Sequence, residues 1–416
     1  MAEQQTALTS AEVETLEKKR AEFPSLRRTI DGRPLAYFDG PGGSQVPQSV
    51  IDAVSWYYQT CNANSHGCFC TSEETDQVLE DSRRVVAAFL NAEGPGQISF
   101  GANMTTLNFA LSHALGRALR PGDEVLITQL DHEANRGPWL NLRRSGIVVR
   151  EVAMKQDGTL DYDDFDSKIG ERTRIVAVGH ASNALGTVNE IPRIRRAATR
   201  VGAWLVIDAV HSAPHLSLDV QAMAADFLMC SAYKFYGPHV GILYARANLL
   251  DQFDTDRLRT QEGHAPYRIE TGTLNHAAIA GVKAAVEFIA SIGQGNGLRE
   301  KLVSAMTTIE KHERMLATRF HQTLQQIDSV TVYGQGFDVS HRAPTVSLAV
   351  NGWHPAEVAR ELGRQGILVW DGDFYAARAV EILGLANRGG LVRVGLSLYS
   401  TGEEIDRILD AVAGLR

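Results

Sequence analysis

Cysteine is scarce in this sequence, with four in 416 residues. That is too few to staple a chain of this length, which excludes a disulfide scaffold and makes a reducing cytoplasm the expected compartment. Long apolar runs are also missing. No stretch of about 18 uninterrupted apolar residues occurs, so no membrane span is expected. The opening "MAEQQTALTSAEVETLEKKR" mixes acids and bases and lacks the apolar core of a signal peptide. There is no basic excess either: 41 Lys and Arg stand against 49 Asp and Glu, a formal charge of −8. Such a balance argues against a nucleic-acid partner, which usually meets a basic face. Internal repeats, low-complexity tracts and long linkers are absent too.

What remains is an ordinary globular composition, 44% hydrophobic and 22% charged. A chain this long buries a large core and is expected to form two domains, or one with a smaller attachment. From about residue 75 to 300, β-rich runs alternate with helical patterns. Candidate strands are Ile98–Phe100, Glu124–Ile127, Val148–Val152, Ile175–Val178, Leu205–Ile207, Phe227–Cys230 and Gly241–Tyr244. Most are continuous apolar runs, which suits a sheet covered on both faces. Between them Leu107, Ala110, Leu111, Ala114 and Leu115 follow helical spacing. The alternation predicts an α/β fold with a largely parallel sheet.

After residue 300 the texture changes. A charged helix (Glu300–Ile327) precedes strands Val330–Tyr333, Thr345–Val350 and Ile367–Trp370, with a helix near Pro355–Gln365. In "LVRVGLSLY" (391–399) apolar residues alternate with Arg393, Gly395, Ser397 and Tyr399, which predicts a strand with one buried face. Thr401-Gly402-Glu403-Glu404 reads as a capping box opening a final helix. This portion is expected to be a smaller α+β domain.

The chemistry gathers where apolar runs end, the place open α/β sheets hold ligands. "LVID" ends in Asp208, "AVGHASNALG" carries Asn183, and "TQLDHEAN" carries His132. "FGANMTTLNF" joins strand to helix through a polar turn whose free N–H groups suit an anion. In "DFLMCSAYKFYGPHVGILYAR" (226–246), Lys234 sits between two apolar runs. A lysine between buried segments needs a partner, because an unpaired ammonium away from water is costly. Singly these residues have plain structural readings: Asp208, Thr105 and Ser231 as caps, His132 and Arg393 as surface groups, Lys234 as a snorkelling side chain. Together they match one ligand, a phosphorylated aromatic aldehyde. Lysine captures the aldehyde as an imine, a carboxylate keeps a ring nitrogen protonated, and a helix start takes the phosphate; that ligand is pyridoxal phosphate.

The segment "IDAVHSAPHLSLDVQAMAADFLMCSAYKFYGPHVGILYAR" (207–246) resembles the signature of the class V aminotransferases, the group that includes cysteine desulfurases and selenocysteine lyases. The resemblance runs in order from "YFDGPGGSQVP" (37–47) through "LDHEAN", "SNALGTVNEIP", "ETGTLN" (270–275) and "VRVGLSLYST". It implies the pyridoxal-phosphate transferase fold type I: a large domain with a mostly parallel seven-stranded sheet (36–295), a smaller α+β C-terminal domain (296–416), and an N-terminal segment (1–35) packing with the latter. By motif it implies that Lys234 holds the cofactor as an imine, Asp208 pairs with the pyridine nitrogen, and His132 stacks on the ring. His211, where the family often has Gln, and Asn183 would meet the phenolic oxygen. Thr105, Ser231 and Tyr233 would bind phosphate, with Thr273 supplied by the partner of a homodimer; Tyr233 stands where desulfurases usually carry His. Arg393 would clamp the substrate carboxylate, its planar fork matching two parallel bonds.

The departures from the family are specific. Desulfurases carry a cysteine on a mobile loop that takes sulfur as a persulfide, whereas the corresponding "GILVWDGDFYAARAVEILGL" (366–385) has none. Tyr375 falls near its place, with Asp371, Asp373 and Phe374 around it. In "NANSHGCFCTS" (62–72), His66, Cys68 and Cys70 alternate, so an extended chain would point them one way near the substrate mouth. A neighbouring His could make such a thiol reactive; small packing residues are the reading preferred here. Adding Cys61 gives four candidate zinc ligands, but the spacing matches no common zinc pattern and no metal is expected. The expected activity is a desulfurase-like lyase acting on cysteine or a cysteine-derived C–S compound by α-proton abstraction and β-elimination. The alternatives are an aminotransferase or other pyridoxal enzyme on a specialised amino acid, and a non-catalytic binding partner for sulfur transfer.

Overall fold

The computed structural model describes residues 7–338 and 341–415. The first six residues of the expected N-terminal segment, and positions 339–340 and 416 of the expected C-terminal domain, lie outside the described residues.

Seven strands form the large sheet: β1 (Ile98–Gly101), β2 (Glu124–Thr128), β3 (Val148–Val152), β4 (Thr173–Gly179), β5 (Trp204–Asp208), β6 (Phe227–Ser231) and β7 (Gly241–Ala245). Their order is β1-β7-β6-β5-β4-β2-β3. β7 runs antiparallel to both β1 and β6, and the remaining pairings are parallel. Strands β2, β5, β6 and β7 are buried almost throughout, as the continuous apolar runs require, while the edge strand β3 alternates exposed and buried positions. Each strand agrees with its sequence expectation to within two residues at either end.

Helices α1 (Cys70–Leu90), α2 (Met104–Arg117) and α3 (Glu133–Leu140) belong to this layer. Asn103 caps α2, its side chain accepting from Thr106 N. The long helix α4 (Leu298–Leu324) leads to a second sheet of β8 (Val330–Tyr333), β9 (Thr345–Val350), β10 (Trp370–Gly372) and β11 (Leu391–Gly395), all antiparallel in the order β8-β9-β11-β10. The capping box at Thr401 opens α5 (Gly402–Ala413) as expected. The segment before residue 36 touches both layers. Phe23 packs on Tyr236, Phe288 and Tyr399, while Arg20 meets Glu404 at 2.5 Å.

Three local readings are corrected. The expected strand Ile367–Trp370 divides: Ile367–Leu368 pairs with Ala36–Tyr37, and Trp370 begins β10. Strand β11 stops at Gly395, and all five of its residues are buried, not one face alone. Its second face is covered because Arg393 reaches Asn183 O in the other layer, and Asp39 beside its own strand. Residues 62–69 are not extended: His66 has φ 65°, and Cys70 is already in α1. His66, Cys68 and Cys70 therefore do not share one face of an extended chain.

A buried ion pair anchors the "ETGTLN" segment to this scaffold. Arg83 of α1 meets Glu270 through two parallel bonds of 2.6 and 2.7 Å, and Glu270 also accepts from Phe100 N at 2.6 Å. Removing one partner leaves the other charge buried and unpaired. Glu270→Ala is expected to lower unfolding free energy by about 3–5 kcal/mol in a urea titration. A loss well under about 1 kcal/mol would show that the pair is solvated. Among the described residues no helix is long and apolar enough to cross a membrane.

Candidate functional site

One cavity of about 580 Å³ opens where the parallel strands end, between the two sheets. β5 delivers Asp208, the turn after β6 delivers Lys234, the turn after β2 delivers Asp131 and His132, and the loop after β4 delivers Asn183. The N-terminus of α2 brings Thr105, and Ser231 Oγ holds that terminus by accepting from Met104 N at 3.0 Å. From the second sheet come Arg393, Trp370, Phe374 and Tyr375. Strand ends converge here because each apolar run stops at the sheet boundary, where polar side chains can face a crevice.

Lys234 is buried, and its Nζ donates to the carbonyls of Pro41 and of Gly42, the latter at 3.0 Å. Among the described residues no carboxylate pairs with it directly. Burial, then the Arg393 charge, pulls its pKa down to about 7, against the opposing pull of Asp39 and Asp208. Asp208 accepts from Val210 N at 2.9 Å, and burial raises its carboxyl to about 6. Asp131, raised to about 7 by burial, accepts from Gly179 N at 2.9 Å and Asn135 Nδ2 at 3.1 Å. Burial, with Lys234 and Arg393 nearby, lowers His132 to about 4, so its ring is neutral. Its Nδ1 is engaged by Ala134 N at 2.9 Å.

Arg393 donates to Asp39 Oδ1 at 3.0 Å and lies 4.6 Å from the Phe374 ring centroid. Its Nε, and Asn183 Oδ1, are buried without a partner among the described residues. Two unsatisfied polar atoms beside one cavity point to an absent ligand. Gly42 makes the Asp39 turn possible, since a side chain there would strike the Asp39 carboxylate.

The wall opposite is held through its backbone. Phe374 and Tyr375 both have φ 57°, unusual for two successive bulky residues. Asn183 Nδ2 donates to Phe374 O at 2.8 Å, Glu133 N to Tyr375 O at 2.7 Å, and Tyr375 N to Asp373 Oδ1 at 2.9 Å. Tyr375 is 67% exposed and its ring lies 5.5 Å from that of His132.

Of the residues expected from sequence, Lys234, Asp208, His132, Asn183, His211, Thr105, Ser231, Tyr233, Arg393 and Tyr375 all line this cavity. His66 does not: it is exposed and its Nδ1 faces Asp76 at 3.2 Å. Thr273 lines hollows elsewhere on its own chain. Cys230 and Cys61 are buried, Cys68 and Cys70 are exposed, and none lines the cavity. No cluster of three or more potential metal ligands occurs among the described residues. Asp39 and Asp131 were missed in the sequence. An acid directly before Gly-Pro-Gly-Gly was the available signal for Asp39.

Comparisons with known proteins agree with this geometry. The Aminotransferase class-V family pattern matches residues 36–408. A cysteine desulfurase from Pectobacterium carotovorum is 32% identical over 417 residues, covering 96% of this chain and 97% of its own length. One from Salmonella agona is 32% identical with the same coverage. Among solved structures, the apo cysteine desulfurase of Thermococcus onnurineus NA1 superposes with a TM-score of 0.85 at 29% identity, covering 96% of this chain and 97% of its own. An Escherichia coli cysteine desulfurase gives 0.83 at 25% identity, covering 95% and 97%. The chain belongs to the class-V aminotransferase family of pyridoxal-phosphate-dependent enzymes.

Proposed function

We propose that this protein is a desulfurase-like lyase that acts on cysteine or a cysteine-derived C–S compound and releases its sulfur as a free thiol or sulfide. The observation that carries the reading is a buried lysine amine sharing one cavity with Asp208, His132 and Arg393, with none of the four cysteines lining it. The donor set fits pyridoxal phosphate: an amine held by two backbone carbonyls, a carboxylate at a strand end, a neutral ring, and an orphaned Asn183 Oδ1. When bound, that cofactor supplies an aldehyde to capture amines and a protonated ring to store the electron pair released from Cα.

The residues divide the work. Asp208 would keep the ring nitrogen protonated, His132 would stack on the ring, and Asn183 and His211 would meet the phenolic oxygen. Thr105, Ser231 and Tyr233 would hold the phosphate, with Thr273 of a second copy completing the set in a homodimer. Arg393, its fork steadied by Asp39, orients the substrate carboxylate. Lys234, neutral above pH 7, removes the α-proton as general base. The Cβ–S bond then breaks, and the sulfur leaves with its electron pair past Tyr375 and gains a proton. With water consumed, the products are thiol, ammonia and a three-carbon keto acid. The two domains, 36–295 and 296–416, meet at this cleft, and four free thiols suit a cytoplasmic setting.

Incubating loaded protein with cysteine or S-substituted cysteines, without any keto-acid acceptor, tests this reading. Thiol, ammonia and keto acid are expected in equal amounts. Turnover only with an added keto acid would make it an aminotransferase, and silence toward every amino acid would favour a binding protein. Cys70→Ser is expected to leave sulfide release within about twofold of wild type. Its loss would show that the 62–72 segment acts as the sulfur acceptor.

A further inference from the structure

The segment after Asp208 carries two histidines four positions apart. His211 lines the cavity, and its Nε2 lies 3.0 Å from Thr345 Oγ1 on β9. The His215 ring crosses that of His211 at 5.3 Å and 73°, and its Nδ1 lies 2.8 Å from Glu313 Oε2 on α4. All four side chains are buried, so their hydrogen bonds are not exchanged with bulk water. Two of them join the large sheet's loop to the second sheet and its long helix.

Burial first, then the neighbouring His215, Arg393, Lys234 and His132, hold His211 well below its ordinary pKa. It is therefore a neutral imidazole, with one N–H donor and one acceptor nitrogen. The partner of Nε2 decides which is which. If the Thr345 hydroxyl donates to Nε2, the proton must sit on Nδ1; if it accepts, Nδ1 is bare. A negatively charged phenolic oxygen at this edge is matched only by the first arrangement. Behind it, His215 points Nδ1 at the Glu313 carboxylate, and its Nε2 is buried without a partner among the described residues. That pair packs the back of the His211 ring and limits its rotation.

We propose that Thr345, backed by the buried His215–Glu313 pair, is a positioning residue that fixes His211 as the Nδ1–H tautomer and so presents a donor to the cofactor's phenolic oxygen. The inference rests on the cofactor reading given under Proposed function. It also links the placement of the second sheet to the electronics of the site, because the controlling hydroxyl stands on β9. The charged and titratable groups facing His211 are Asp208 and His215 on its own segment, Lys234 after β6, His132 after β2 and Arg393 on β11. Changing Thr345 removes none of them.

The test is the visible absorption of the full-length, cofactor-loaded protein as a function of pH, without substrate. A donor at the phenolic oxygen holds its negative charge and eases loss of the proton it shares with the lysine nitrogen. Thr345→Val, which removes the hydroxyl and keeps the shape, is expected to raise the pH midpoint of the band by about one unit. Thr345→Ser should restore it, and Glu313→Gln should shift it the same way by less. Should the valine variant fail to fold, Thr345→Ala carries the same expectation. A folded Thr345→Val or Thr345→Ala protein with the wild-type midpoint would overturn the inference. Absence of any visible band in the loaded wild type would instead overturn the cofactor reading, and this inference with it.

Discussion

Lys234→Ala will abolish turnover, with a fall of about 10²–10⁴-fold expected from loss of a positioned general base alone. The loss should exceed that figure because the same nitrogen anchors the cofactor. Borohydride reduction of the loaded wild type followed by peptide mapping should place a pyridoxyl adduct on the Lys234 peptide, and the alanine variant should show none. The pH course follows from the amine's environment. Its pKa is lowered from 10.5 to about 7. Below pH 7 the nitrogen is an ammonium and cannot attack an aldehyde; above it the free amine predominates. Loading of unloaded protein should therefore accelerate as pH rises through about 7. An adduct on any other lysine, or full activity in Lys234→Ala, would remove the basis of the proposed mechanism.

Asp208→Asn will keep the shape of the site and lose its charge. The expected cost is about 10²–10³ in kcat, the range for removing one preorganised electrostatic contact at a reacting centre. The variant should still show the visible band at saturating cofactor, since Lys234 is untouched, but with weaker cofactor affinity than wild type. In the unloaded chain burial holds this carboxyl near 6. Below pH 6 it is protonated and offers no anion to the ring nitrogen, so cofactor affinity should weaken as pH falls through that value. Equal kcat in wild type and Asp208→Asn would mean that the ring nitrogen is not paired here.

Much of this site was legible because charge was out of place. Lys234 stood between two runs that read as buried strands, and Asp208 ended a third. Arg393 was legible as a candidate, but its setting was not. The alternation in "LVRVGLSLY" predicts a solvent-facing side, and that side is covered by the other layer, with Asp39 lying 354 positions away in the chain. His66 failed for a local reason: its left-handed backbone turns the segment before the alternation can act.

By itself the sequence determined the seven strands of the large sheet and the order in which polar residues meet their ends. Those signals are local, since burial on both faces writes a continuous apolar run and the run stops where the sheet does. Only the tertiary structure decided which acid steadies Arg393, which hydroxyl meets His211, and that Phe374 and Tyr375 line the facing wall. These contacts join residues far apart in the chain, and their energies depend on burial that no single segment encodes.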